Sequence, residues 1–367
     1  MKNLQKGIIT IFIVAIATCD LMATVIYVND SATGANNGTS WANAYESFQT
    51  ALDNASSGDE IWVARATYKP SSDYGLGGGS RYYHFRLIEG VQIFGGFAGT
   101  ETAVSQRTNF GSGEANETIL SGDLSSNDDF DVTNGGYQGT SGDDNCYHVF
   151  YHPDGLNLTS TSILDGFTIT GGNANGATDP HNKAGALYLY SSSPRIYNVI
   201  FQYNQATDLG GAAYMYNHGS EFTNVSFIEN ISGGGGATYL SYGGTIFSNA
   251  IFTVNVSSGD GGALSTHSSH PALNNTLFSS NTASNNGGAI IFYSNSVEIN
   301  VELNNVTFSD NLAEGSGGAI RFASNNAASE LNINNSIIWD NTATTFGNEL
   351  SLISTGTTTL NYSCYKN

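Results

Sequence analysis

Asp179, His181 and Lys183 place a carboxylate, an imidazole and an ammonium within five residues of one another. Such a loop could supply both the acid and the base of a proton transfer on a substrate held beside Tyr188. A polar loop in solvent is the plain alternative. A second cluster, Asp123, Asn127, Asp128, Asp129 and Asp131, puts five oxygen-bearing side chains into nine residues, a density of hard ligands that suits calcium. It lacks both the EF-hand spacing and the nonapeptide calcium repeat, and an ordinary acidic loop explains it more simply. Calcium is the one cofactor the sequence suggests. A third set is aromatic. Tyr188, Tyr214 and Tyr239 recur at a fixed step, as do Tyr190, Tyr216, His267 and Tyr293. Rings in register on a polar face would give pyranose rings a flat apolar surface edged with hydroxyls. Tyrosine also has high β propensity and stacks on itself, which needs no ligand.

What must position these residues is an internal repeat. Gly210-Gly211-Ala212, Gly235-Gly236-Ala237, Gly261-Gly262-Ala263, Gly287-Gly288-Ala289 and Gly317-Gly318-Ala319 follow a weaker first copy, Ala184-Gly185-Ala186, at steps of 26, 25, 26, 26 and 30 residues. Each copy carries an asparagine about fourteen residues on (Asn198, Asn224, Asn249, Asn275, Asn305, Asn335) and another six positions later (Asn204, Asn230, Asn255, Asn281, Asn311, Asn341). A fixed period of this length means stacked units.

Within a repeat, apolar residues fall at alternate positions after the glycines, as in Leu187/Leu189 and Ile290/Phe292, so that segment reads as a strand with one buried face. Phe201, Phe227, Phe252, Phe278 and Phe308 mark a second strand. Between the segments the alternation slips phase at the asparagine, which marks a bend. Short strands, bends at Asn and Gly, and a repeat too small to hold a core alone predict an all-β, single-chain parallel β-helix of about ten turns, roughly 48 Å long at the inter-strand rise. The phenylalanines should then stack inside. The asparagines should form amide ladders from turn to turn. On this reading Asn255→Ala lowers stability, whereas Tyr214→Ala leaves it nearly unchanged.

Residues 1–23 read as a secretory signal peptide: Lys2 and Lys6, an apolar run from Gly7 to Ala17, then small residues. Cys19 is a candidate lipid anchor, although Thr18 stands where a lipobox wants a smaller residue. Residues 24–60 read as a strand and a capping helix, with Tyr45, Phe48, Leu52 and Ala55 at helical spacing over residues 45–57 and Asn43 as its N-cap. Residues 61–183 form irregular first turns, and 184–367 the regular repeats. Cys146 and Cys364 lie many turns apart, which argues against a disulfide. With 11 basic against 31 acidic residues, the net charge of -20 argues against nucleic acid or an anionic membrane surface as partner. No membrane span is expected in the mature chain, and a monomer is.

The runs GTSWANAYESFQTALDNASSGDEIWVARATYKP, IFGGFAGTET, ETILSGDL and LDGFTITGGN resemble secreted right-handed parallel β-helix proteins of the pectin-lyase-like superfamily. The GGA(I/L) and FxxN pairs are similar to the repeats of chlamydial polymorphic outer-membrane proteins. The resemblance implies fold far more than activity, because its motifs are core and corner residues. Lyases of this fold use a Lys or Arg base beside calcium-bound carboxylates, and related hydrolases use clustered aspartates. From Lys183 onward the chain offers only Lys183, Arg195, Arg321 and the near-terminal Lys366 as Lys or Arg, with no column of carboxylates beside the first three, and the hydrolase-like Gly142-Asp143-Asp144 occurs once without its companion motifs. Such proteins usually continue toward a barrel, sorting or anchoring segment, and a truncated C-terminus is left open. The expectation is an exported surface or extracellular protein, an adhesin or glycan-binding scaffold without catalysis, its partner an extracellular polysaccharide or a cell-surface glycan. The alternative is a polysaccharide lyase or glycoside hydrolase.

Overall fold

The computed structural model describes residues 24–366. Residues 1–23, read from the sequence as a signal peptide, and Cys19 among them lie outside the described residues. The chain winds into a parallel β-helix with three faces. In one representative turn, the strand Ala213–His218 lies on a face of eight stacked strands. Glu221–Thr223 and Ser226–Ile228 then run along a second, bent face, and Ile231–Ser232 closes the triangle on a third face of two-residue strands. Among these three faces every pairing between successive turns is parallel, and the regular repeats keep one register, as in Phe201↔Phe227, Phe227↔Phe252 and Phe252↔Phe278.

The register follows from burial. In Ala213–His218, Ala213 and Met215 point into the core while Tyr214 and Tyr216 point out. A one-residue slip would reverse every side chain. The five repeat phenylalanines form a single interior column, with ring centroids 4.8, 4.7, 4.6 and 5.0 Å apart and planes within 9° of parallel. Both asparagine ladders form, for different reasons. Asn224 and its equivalents take the left-handed conformation, φ 55° at Asn224 itself, and so make the bend between the two strands of the second face. Asparagine tolerates that region better than most residues. Asn230 and its equivalents are fully buried and hydrogen-bond from turn to turn.

The two corner glycines also differ. Gly261 has φ +67°, whereas Gly262 has an ordinary φ but lies so close to the Gly288 carbonyl and the Thr282 backbone that no Cβ would fit.

The N-terminal helix is shorter than its periodicity suggests. It spans Phe48–Asn54, and its N-cap is Ser47, whose side chain accepts from the Thr50 N–H. Tyr45 cannot join it because its N–H and C=O are bonded to Tyr27 O and Asn29 N, both at 2.9 Å, which holds it extended. Asn43 belongs to a separate turn, where its Oδ1 accepts from Ala35 N at 2.9 Å. Phe48, Ala51 and Leu52 are buried in the core, with the Phe48 ring 4.9 Å from that of Phe85. The helix therefore covers apolar surface at the first turns, as a solenoid cap must. Cys146 is buried and Cys364 exposed, and neither is in a disulfide. Among the described residues no helix is long and apolar enough to cross a membrane, which says nothing of a β-barrel.

Candidate functional site

The outer side of the eight-stranded face carries two aromatic columns with different fates. Tyr151 pairs in register with Tyr188, Tyr188 with Tyr214, and Tyr214 with Tyr239. Their centroids are 5.2, 5.3 and 5.8 Å apart. The sequence reading placed Tyr188 and Tyr214 on an open face, and the structure corrects this: they are only 6% and 7% exposed. Together with Tyr151 and Ala184 they form a small apolar cluster of their own, against which Tyr190, Tyr216 and Tyr239 pack. Burial raises the hydroxyl pKa of both Tyr188 and Tyr214, and that of Tyr239 to about 12. Tyr188 and Tyr214 thus belong to a second packed layer and offer no open face to a sugar, while Tyr239 is half-buried at its end.

The cover comes from the segment that holds the proposed acid/base set. Lys183 Nζ bonds Asp179 Oδ2 at 2.8 Å and sits 4.9 Å from the centre of the Tyr214 ring. His181 turns elsewhere. Its Nδ1 lies 3.2 Å from His148 Nε2, while His148 Nδ1 donates to the Ala184 carbonyl at 2.7 Å. That bond fixes the His148 tautomer, so His181 must be the donor between the two rings. His181 is also stacked on Tyr147 at 4.9 Å and edge-on to Tyr82 at 4.8 Å. Asp179, His181 and Lys183 thus share one loop over one tyrosine column but do not converge on a common point. Burial holds the imidazoles neutral: His148 falls to about 3, His84 to about 4, and His181 below its usual value despite the opposing charge of Asp179. His148, His84 and Tyr151 were missed in the sequence because they lie in irregular turns without a repeat to align them.

The second column is open. Tyr190 stacks on Tyr216 at 4.6 Å, Tyr216 meets Tyr242 at 5.6 Å, Tyr242 meets His267 at 5.8 Å, and His267 meets Tyr293 at 5.4 Å. Tyr242 and Tyr293 are 40% and 37% exposed. The sequence missed Tyr242 because the column position belongs to Ser241. A left-handed backbone at Tyr242, φ 52°, brings its ring toward the column from one residue out of phase. Ring attitude matters here. Tyr190 and Tyr216 lie nearly parallel, 20° apart, and shield each other's faces, whereas Tyr242, His267 and Tyr293 are tilted by 57° to 74° along their part of the strip.

The acidic cluster does not assemble into a cation cage. Asp123 accepts from the backbone N–H groups of Ser125, Ser126, Asn127 and Asp128. Asp131 accepts from Thr133 and Asn134, and Asp128 from Asn145 Nδ2 at 3.1 Å. Burial lifts the Asp128 carboxyl to about 7. Among the described residues no three metal-ligating side chains converge, Asp129 included. The carboxylates order their own loop.

Comparison with known proteins bears on the repeats. The Chlamydia polymorphic membrane protein repeat matches residues 275–293 and 305–323. In this parallel β-helix, those two repeats are similar to the polymorphic-membrane-protein type. The matched segments run from the bend asparagine through the phenylalanine, the buried asparagine and the corner glycines, so the motif encodes the turn itself. Among solved structures, pectate lyase Pel9A is similar at 12% identity and a TM-score of 0.38, over 94% of this chain and 79% of that one. PfbA, a surface adhesin of Streptococcus pneumoniae, is similar at 11% identity and a TM-score of 0.27, over 87% of each chain. No curated protein matches the chain in sequence.

Proposed function

We propose that this solenoid is an exported surface or extracellular protein that binds glycans without transforming them, an adhesin-type scaffold. The observation that carries the reading is the open aromatic strip from Tyr190 to Tyr293, which crosses five turns of the eight-stranded face beside the packed Tyr188–Tyr239 column. The tilted rings of Tyr242, His267 and Tyr293 leave faces free for pyranose stacking. Tyr190 and Tyr216 contribute hydroxyl-bearing edges. Export is supported by the signal-peptide pattern of residues 1–23 and by the repeat type. Affinity electrophoresis or a glycan array with wild type, Tyr242→Ala and Tyr293→Ala tests the reading. Retention should fall several-fold in each variant while the melting curve stays put. Equal retention by all three proteins would remove the strip as the contact surface.

One observation favours the enzymatic alternative. With Nδ1 donating to His148, the Nε2 lone pair of His181 remains available as a base, and the Asp179 charge acts on that imidazole against the effect of burial. A screen of acidic and neutral polysaccharides for unsaturated products and new reducing ends, with and without calcium, decides this. Turnover abolished by His181→Gln or Lys183→Met would make the protein a lyase or hydrolase.

A further inference from the structure

A groove of about 510 Å³ opens where the N-terminal helix meets the first turns of the solenoid. Leu52, Ala55, Leu87, Ile88, Leu156 and Leu158 make its apolar walls, with Tyr74 and Arg86 at the rim. A few hundred cubic ångströms of mostly apolar lining with a few polar groups is the usual form of a small-molecule site.

Arg86 is the unusual element. Its guanidinium carbon lies 4.2 Å from the centre of the Tyr74 ring, and its Nε donates to His84 Nε2 at 3.1 Å. His84 Nδ1 is engaged by the Tyr82 carbonyl at 2.8 Å, which leaves Nε2 as the acceptor. The guanidinium is thereby fixed in attitude while its two terminal nitrogens meet no oxygen among the described residues. Every other described Lys or Arg meets at least one, whether a carboxylate, as at Arg107, Lys183, Arg195 and Lys366, or a carbonyl or hydroxyl, as at Arg65, Lys69, Arg81 and Arg321. In a chain with 31 acidic residues against 11 basic ones, a half-buried guanidinium without a carboxylate is not for want of carboxylates. The two at the groove are otherwise engaged. Both Glu89 oxygens accept from the Thr159–Ser162 segment, and Asp53 Oδ1 accepts from Gln49 Nε2 at 3.0 Å.

A fixed guanidinium presents a fork of N–H donors matched to a carboxylate, and stacking on a ring preserves that plane. We infer that the groove binds a small carboxylic acid with an apolar body, its carboxylate forked onto Arg86 and its aliphatic or aromatic part against Leu87, Ile88, Leu156 and Leu158. The site is separate from the aromatic strip, so either can fail while the other stands.

Calorimetric titration of the purified protein with 3-phenylpropanoate and octanoate, against the matching amides, tests this. The acids should bind at least about tenfold more tightly than the amides, a difference of about 1.4 kcal/mol. Arg86→Gln should bring the acids down to the amides, Arg86→Lys should fall between, and Leu156→Trp should block both by filling the groove. If Arg86→Gln fails to fold, the acid-to-amide ratio and Leu156→Trp decide. Equal binding of acid and amide, undiminished binding in Leu156→Trp, or no binding up to about 10 mM would overturn the inference. So would capture of peptides ending in Leu or Phe without binding of the small acids, since that makes the groove a chain-end site.

Discussion

The side-chain amide of Asn255 donates to Oδ1 of Asn281 at 2.9 Å, and the backbone N–H of Asn255 reaches the same oxygen at 3.0 Å. One turn back, Asn230 treats Asn255 in the same way, with both bonds at 3.0 Å. The second amide hydrogen of Asn255 goes to the Phe227 carbonyl at 2.9 Å. Each buried asparagine thus satisfies its own amide and part of the backbone on either side. It seals the corner between the second and third faces, where the strands are too short to pair every group.

Asn255→Ala should therefore strand the Asn230 donors and the Phe227 carbonyl. An unpaired buried polar group costs roughly 1–3 kcal/mol, so the loss should reach several times thermal energy. Chemical denaturation should show a lowered midpoint. A midpoint within error of wild type would mean that water repairs the ladder.

Tyr214→Ala should also destabilise, contrary to the expectation from sequence. Tyr214 is 7% exposed, lies between Tyr188 and Tyr239, and carries Lys183 on its ring. Removing a buried ring of this size costs roughly 3–5 kcal/mol, and the part left open to solvent moves the expectation toward the lower end. Thermal unfolding of Tyr214→Ala beside Tyr293→Ala checks it: the first should melt lower and the second should not.

Acid should loosen the fold through its histidines. Burial lowers His84 to about 4 and His148, His152 and His218 to about 3. At His152 burial and the nearby His84 and Arg86 act in the same direction, and its Nε2 accepts from the Leu87 N–H at 2.7 Å, where a proton would set two donors against each other. An unfolded imidazole titrates near 6.5, so below that pH the unfolded chain binds protons the native chain refuses. The contribution is fully present above about pH 6.5 and falls as pH drops toward the folded values, by up to about 1.4 kcal/mol per pH unit for each histidine. His152→Met, placed in the column of Leu189 and Met215, should be less stable near neutrality yet lose stability less steeply between about pH 6.5 and pH 5. A wild-type melting temperature flat across that window would refute the assignment.

The repeat by itself determined the solenoid. A glycine pair, a phenylalanine and two asparagines recurring at one step leave a small unit no stable arrangement but stacking, and stacking puts like over like. Inside and outside were legible wherever alternation was strict, as in the phenylalanine column from Phe201 to Phe308. The sequence could not show that an outward tyrosine is covered. Tyr188 and Tyr216 both face outward by alternation, yet one lies beneath the segment carrying Asp179, His181 and Lys183 and the other beside it. That difference, the pairing of His181 with His148, the arrival of Tyr242 from one residue out of phase, and the meeting of Arg86 with Tyr74 all depend on irregular backbone. There no repeat imposes a register, and each contact is decided by how a loop packs against turns distant in the chain. Periodic burial is a local property that pattern can carry, whereas the placing of charged and aromatic side chains across loops is settled by tertiary packing.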